Sequence, residues 1–155
     1  MDKVINYAQS PNIRECKTRK PLIIVLHSTG GGYDGSISWL RNPESGVSAH
    51  YVVARDGRIM QLAQTKDICW HAGKGRWKKY NDVNKISVGI EQEHIDGKSD
   101  WPDEQIESTA YVCKIIMEKY GIPVENIVGH RDVAPGRKVD PDDSFPWHKL
   151  RDLLK

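Results

Sequence analysis

No stretch of this 155-residue chain approaches the run of apolar residues needed to span a membrane. Its start, Met1-Asp2-Lys3-Val4-Ile5-Asn6-Tyr7, also lacks the apolar core of a secretory signal peptide. The expectation is a protein that is cytoplasmic at synthesis, monomeric, without a membrane partner and not exported by the general secretory route. An excess of charge of one sign is missing too: 23 basic against 21 acidic residues leave +2, spread along the chain, which gives nucleic-acid binding no support. Cysteine is scarce. Cys16, Cys69 and Cys113 are an odd number without paired metal spacing, which implies no disulfide framework and fits a reducing compartment during synthesis. Pro and Gly are not in excess, and no internal repeat, low-complexity tract or interdomain linker appears. With 38% hydrophobic residues the chain is long enough to bury one sizeable core, so a single domain over 1–155 is expected.

What is present is an alternation of apolar runs with turn signals. After a polar N-terminal arm, the run Leu22-Ile23-Ile24-Val25-Leu26 reads as a buried strand over 22–27, followed by a Gly-rich loop and a short helix around 35–41. Strands over 49–55 and 58–63 are joined by Asp56-Gly57, a hairpin signal. A long loop over 64–84 leads to a strand at 86–93. A helix at 103–120 starts after Pro102, carries Ile106, Ala110, Cys113, Ile116 or Met117 and Tyr120 on one side, and ends at Gly121 before Pro123. A strand at 126–130, a Pro/Gly-rich loop and a helix near 146–154 complete the order. The pattern predicts an α/β fold, a mixed β-sheet flanked by helices.

The chemistry-bearing residues gather at strand ends and in stiff loops. His27 stands where the first apolar strand gives way to Ser28-Thr29-Gly30, and His130 closes Ile127-Val128-Gly129 before a loop with Pro135 and Gly136. Asp140 follows Lys138 by two residues, so a locally extended loop projects both to one side. Two imidazoles and a carboxylate, with a fourth position left for water, are a recognised set for catalytic zinc. Short metal motifs such as HExxH are absent. A histidine after an apolar strand also reads as a hydrogen-bonded structural residue; Asp132, Asp142 and Asp143 compete with Asp140; and Lys138 reads equally as a solvated loop lysine. Within 64–84, Trp70-His71-Ala72-Gly73 and Trp77 offer aromatic platforms for a sugar or peptide, or pins that hold the loop to the sheet. The basic run Lys74-Gly75-Arg76-Trp77-Lys78-Lys79-Tyr80 is either a solvated loop or the wall of an anionic groove.

Five ordered blocks narrow these alternatives: Val25-Leu26-His27-Ser28-Thr29, Ser48-Ala49-His50-Tyr51-Val52-Val53-Ala54-Arg55-Asp56-Gly57, Trp70-His71-Ala72-Gly73, Ser87-Val88-Gly89-Ile90-Glu91, and Gly129-His130-Arg131-Asp132 through Arg137-Lys138-Val139-Asp140-Pro141. Together they resemble the N-acetylmuramoyl-L-alanine amidase family of the type-2 amidase and peptidoglycan-recognition fold. That resemblance implies a zinc-dependent hydrolase with His27, His130 and Asp140 as Zn2+ ligands, Glu91 as acid/base and Lys138 at the oxyanion. His50, Trp70 and His71 are then expected at the substrate or just behind the metal. The substrate implied is peptidoglycan or a muropeptide, cut between N-acetylmuramic acid and L-alanine. Ala49 and Asp140 resemble the recycling branch of the family, whereas phage enzymes of the T7 type carry tyrosine and cysteine there. The leading expectation is nonetheless a bacteriolytic phage or prophage endolysin reaching the cell wall after holin-type release. A cytosolic anhydro-muropeptide recycling amidase and a non-catalytic recognition module are the alternatives.

Overall fold

The apolar run that begins at Leu22 forms the middle of a sheet whose neighbours come from far along the chain. The computed structural model describes residues 2–155. In chain order its elements are β1 (Ile5–Tyr7), β2 (Ile13–Arg14), β3 (Ile23–Ser28), α1 (Tyr33–Leu40), β4 (Tyr51–Val53), β5 (Ile59–Gln61), β6 (Ile68–Cys69), α2 (Val83–Ile86), β7 (Ser87–Gln92), α3 (Asp103–Tyr120), a 3-10 turn at Val124–Asn126, β8 (Ile127–Gly129), α4 (His130–Val133) and α5 (Trp147–Leu153). Six strands make a mixed sheet in the order β1-β5-β4-β7-β3-β8, and β2 pairs with β6 apart from it. β3 runs parallel to both β7 and β8, with His27 opposite Glu91 and Leu26 opposite Gly129. The expected α/β architecture of a mixed sheet flanked by helices is the one observed.

Strand alternation divides the apolar residues between two faces. Ile24, Leu26, Val88 and Ile90 turn toward Ile106, Cys113 and Ile116 of α3 and Leu150 of α5. Ile23 and Val25 turn the other way, toward Ala72, Val83 and Val133, while Tyr33, Ile37 and Leu40 of α1 cover Val52. Each isoleucine fully buried in this way contributes about 1.5–3 kcal/mol, so α3 is fixed by its apolar stripe more than by local propensity. Gly121 ends it at φ +68°, a left-handed conformation glycine adopts without a Cβ clash. Polar residues of α3 also reach the sheet: Thr109 Oγ1 donates to Gln92 Oε1 at 3.0 Å and Gln105 Nε2 to the Glu93 carbonyl at 2.9 Å.

Three sequence expectations need correction. The polar N-terminal arm contains β1, which lies parallel to β5 at the sheet edge, and β2, which pairs with β6. These strands are two or three residues long and owe their form to distant partners, so no local periodicity announces them. The loop over 64–84 is interrupted by β6 and by the start of α2 at Val83. His130 begins a helical turn, α4, rather than closing a strand; Asp132 Oδ2 accepts the Gly129 N–H at 2.8 Å and holds that turn in place.

Candidate active site

The C-terminal ends of parallel strands are where open α/β sheets present their functional side chains. Here β3 delivers His27, its neighbour β7 delivers Glu91 at the same level, and β8 runs directly into His130. Because Val88 and Ile90 point into the α3 core, the alternation of β7 sends Glu91 to the opposite face, where His27 also lies. The loop after α4 then brings Asp140 over both. Arg131 N–H donates to the Asp140 carbonyl at 2.9 Å, and Ser28 N–H donates to Asp140 Oδ2 at 3.1 Å.

The resulting donor set is tight. His27 Nδ1 and His130 Nδ1 are 3.0 Å apart, His130 Nδ1 is 3.4 Å from Asp140 Oδ1, and His27 Nδ1 is 3.7 Å from Asp140 Oδ2. Tetrahedral zinc with nitrogen and oxygen ligands at about 2.0–2.2 Å spaces its donors about 3.3–3.6 Å apart. The three separations bracket that spacing, and the donor types suit the ion. The far nitrogens of both rings are engaged: His130 Nε2 donates to the Ala72 carbonyl at 2.9 Å, and His27 Nε2 lies 2.9 Å from His71 Nδ1. Such outer partners orient metal-binding imidazoles.

The three competing aspartates face elsewhere. Asp132 caps α4, Asp143 pairs with Arg131 at 2.6 Å, and Asp142 Oδ2 accepts Gly97 N–H at 2.6 Å with His94 Nε2 at 3.2 Å. His94, Asp96 and Asp142 form a second close group of potential ligands. Asp96 Oδ1 already accepts Ser28 Oγ–H at 2.8 Å and Asp142 N–H at 3.2 Å. The group therefore works as a bracket that ties the segment after Asp140 to the end of β3.

Burial sets the ionisation of the cluster. His27 is lowered to about 4, chiefly by burial, although its bond to Asp140 opposes that. Burial pushes Asp140 up, but hydrogen bonds from His130 and His27 outweigh it and hold the carboxyl well below its ordinary range. Glu91 goes the other way, pushed up to about 8 by burial and by the charge of Asp140, with Lys138 partly offsetting both. Two carboxylates in one pocket are thus driven apart, a pattern that separates ligand from acid/base roles.

The raised Glu91 has a measurable consequence for stability. It takes up a proton on folding between its ordinary value of 4.5 and its folded value of about 8. Stability from this group is complete below the lower value and lost as pH rises through the upper one. In metal-free protein, Glu91→Gln should match the parent near pH 4 and exceed it at pH 9 by several kcal/mol, because each pH unit separating the two values is worth about 1.4 kcal/mol. Urea unfolding at the two pH values reads the difference, and equal stabilities at pH 9 contradict the burial argument.

A cleft of about 710 Å³ opens over these groups, lined by His27, Glu91, His130, Lys138 and Asp140, with Trp70, Trp39 and Val139 around them. Lys138 and Asp140 do reach one cavity. Trp70 lines it, whereas Trp77 packs on the core beside Ile23 and Val25 and stacks on Tyr80. His71 touches the cleft but gives its nitrogens to His27 and Ser87. The expectation that His50 contacts substrate is corrected. It is fully buried, Gly89 N–H donates to its Nδ1 at 3.0 Å, and its Nε2 donates to the Asp67 carbonyl at 2.7 Å. His50 therefore staples β7 to the segment before β6. Arg137, to which the sequence assigns no role, donates to the carbonyls of Ala72 and Lys74, each at 2.7 Å. It shares the Ala72 oxygen with His130.

The chain matches the N-acetylmuramoyl-L-alanine amidase family over residues 17–143. It is 33% identical over 143 residues to the N-acetylmuramoyl-L-alanine amidase AmiD of Escherichia coli strain K12, covering 83% of this chain and 51% of AmiD. It is 36% identical over 108 residues to the 1,6-anhydro-N-acetylmuramyl-L-alanine amidase AmpD of the same strain, covering 70% of this chain and 58% of AmpD. The chain thus spans little more than half the length of these curated relatives. A crystal structure of selenomethionine AmpD superposes with a TM-score of 0.87 at 27% identity, over 97% of this chain and 94% of that one. AmiD of E. coli in complex with the substrate anhydro-N-acetylmuramic acid-L-Ala-D-γ-Glu-L-Lys superposes with a TM-score of 0.79 at 32% identity, over 94% and 59% respectively.

Proposed function

Because the chain belongs to the N-acetylmuramoyl-L-alanine amidase family, we propose that it hydrolyses the amide joining the lactyl group of N-acetylmuramic acid to L-alanine, with zinc held by His27, His130 and Asp140. The observation that carries this reading is the meeting of that donor set with Glu91, whose Oε2 lies 3.7 Å from His27 Nδ1. When bound, zinc supplies Lewis acidity toward the amide carbonyl and lowers the pKa of an attacking water. Glu91 accepts the water proton and delivers one to the departing alanine nitrogen, a task suited to a carboxyl lifted toward neutrality by burial. Lys138, on the facing loop, offsets negative charge growing on the carbonyl oxygen, an effect on the order of 3 kcal/mol for one such donor. Asp140 stays ionised and fixed by Ser28. No covalent intermediate is needed.

The proposed substrate is the intact wall polymer, cut in the manner of a phage or prophage lysin. In support, the cleft is flanked by exposed Trp39 and Val139, apolar surface on which a long ligand can lie. A second reading, cleavage of soluble anhydro-muropeptides, is favoured by the pairing of Glu91 with Asp140 and by the similarity to AmpD. Incubating the protein separately with intact sacculi and soluble 1,6-anhydro-muropeptides distinguishes them. Release of stem peptides from sacculi is expected; cleavage confined to the soluble substrate gives the second reading, and binding without cleavage of either removes both.

A further inference from the structure

Behind His27 runs a chain of buried polar groups that hydrolysis itself does not use. His27 Nε2 is 2.9 Å from His71 Nδ1, and His71 Nε2 is 2.9 Å from Ser87 Oγ. The rings of His27 and His71 meet edge to face, 5.0 Å between centroids at 90°. Asn84 Oδ1 accepts the N–H groups of both His71 and Ala72, which fixes the backbone that carries the ring. Gly89 supplies the space. A Cβ built there would sit 2.5 Å from His71 Cγ and 2.7 Å from its Nδ1, so only glycine lets the imidazole lie across β7.

Two ring nitrogens 3.0 Å apart, as in His27 and His130, need either a cation or a proton between them. The Ala72 carbonyl can only accept, so His130 carries its proton on Nε2 in either case. With neutral rings, each choice fixes the rest of the chain. A shared cation leaves both Nδ1 atoms bare; His27 Nε2–H then donates to His71 Nδ1, and His71 Nε2–H donates to Ser87 Oγ. A shared proton sits on His27 Nδ1; His71 Nδ1–H then donates to His27 Nε2, and Ser87 Oγ–H donates to His71 Nε2. Every ring carries one proton in both arrangements, and Ser87 keeps its own, so the exchange leaves the total unchanged.

We infer that His71 is the positioning residue that sets the tautomer of His27, and that the Ser87–His71–His27 chain reverses direction when the metal binds. The inference rests on His27, His130 and Asp140 being the metal's ligands. It gives Gly89 and Ser87 roles toward the metal that neither has through contact with it.

Nitrogen-15 histidine spectra of the wild-type protein, zinc-loaded and chelator-stripped, read the tautomers directly. The zinc form should show protonated Nε2 on His27 and His71, and the stripped form protonated Nδ1 on both. A His71 tautomer unchanged between the two forms, or His27 binding zinc through Nε2, overturns the inference. Chelator competition supplies the second readout. His71→Leu should weaken zinc by about 10- to 100-fold. His71→Asn, whose amide oxygen falls near the Nδ1 position, should restore affinity to within a few fold, and Gly89→Ala should behave as His71→Leu does. Wild-type affinity in both His71→Leu and Gly89→Ala contradicts it. Failure of the wild type to bind zinc at all is a different result: it removes the ligand assignment, and the inference with it.

Discussion

Glu91→Gln should lower kcat on a muropeptide by about 10²- to 10⁴-fold, the range expected when a positioned acid/base group is lost, while zinc content stays near that of the parent. The amide is close to the protonated carboxyl in shape, so the buried pocket tolerates it, but it cannot take a proton from water. Glu91 lies beside His27 without belonging to the closest donor set. A bound dication would draw its pKa down from about 8 toward the working range, because added positive charge favours the carboxylate. Steady-state kinetics with metal analysis of the same sample checks both halves. Turnover near that of the parent moves the acid/base role elsewhere, and loss of zinc makes Glu91 a ligand.

Asp140→Ala should remove metal and activity together. It deletes the only carboxylate of the triad and leaves His27 and His130 facing each other at 3.0 Å. Asp132→Ala is the informative control. Its carboxylate caps α4 at Gly129, so the cost should be about 0.5–2 kcal/mol of stability with zinc content retained. The stripped protein should stay folded, since the large cluster between the sheet, α3 and α5 includes none of the triad. Metal content by mass spectrometry and unfolding by circular dichroism read these outcomes. Zinc retained in Asp140→Ala but lost from Asp132→Ala reverses the assignment.

What the sequence reveals depends on whether a signal is local. Helix 103–120 is legible to the residue because a 3.6-residue stripe, Pro102 and Gly121 all act within the segment itself. The strand ending at His27 is legible from its apolar run. β1 and β2 are not, because edge pairing with residues far along the chain creates them. His50 shows the same limit beside the site. Its place beside an apolar strand resembles that of His27, yet the fold turns it to Gly89 N–H and the Asp67 carbonyl, and no spacing rule reveals that. The choice of Asp140 among four nearby aspartates rests in sequence on family resemblance. In the structure it rests on Asp132 capping a helix, Asp143 pairing with Arg131 and Asp142 bracing Gly97. Arg137 and Ser87 fall within the resembling blocks but draw no role from them, and their contacts appear only once the loops are folded together.

The proposed chemistry turns on water attack at the bond between N-acetylmuramic acid and L-alanine. Single-turnover cleavage of a synthetic N-acetylmuramoyl-L-alanyl peptide in oxygen-18 water, with both products weighed by mass spectrometry, tests it without intermediaries. The expected products are an unlabelled peptide with a free L-alanine amine and a muramic acid whose lactyl carboxylate carries one heavy oxygen. A new N-terminus other than alanine, a new reducing sugar end or an uncut substrate under zinc-loaded conditions would contradict it.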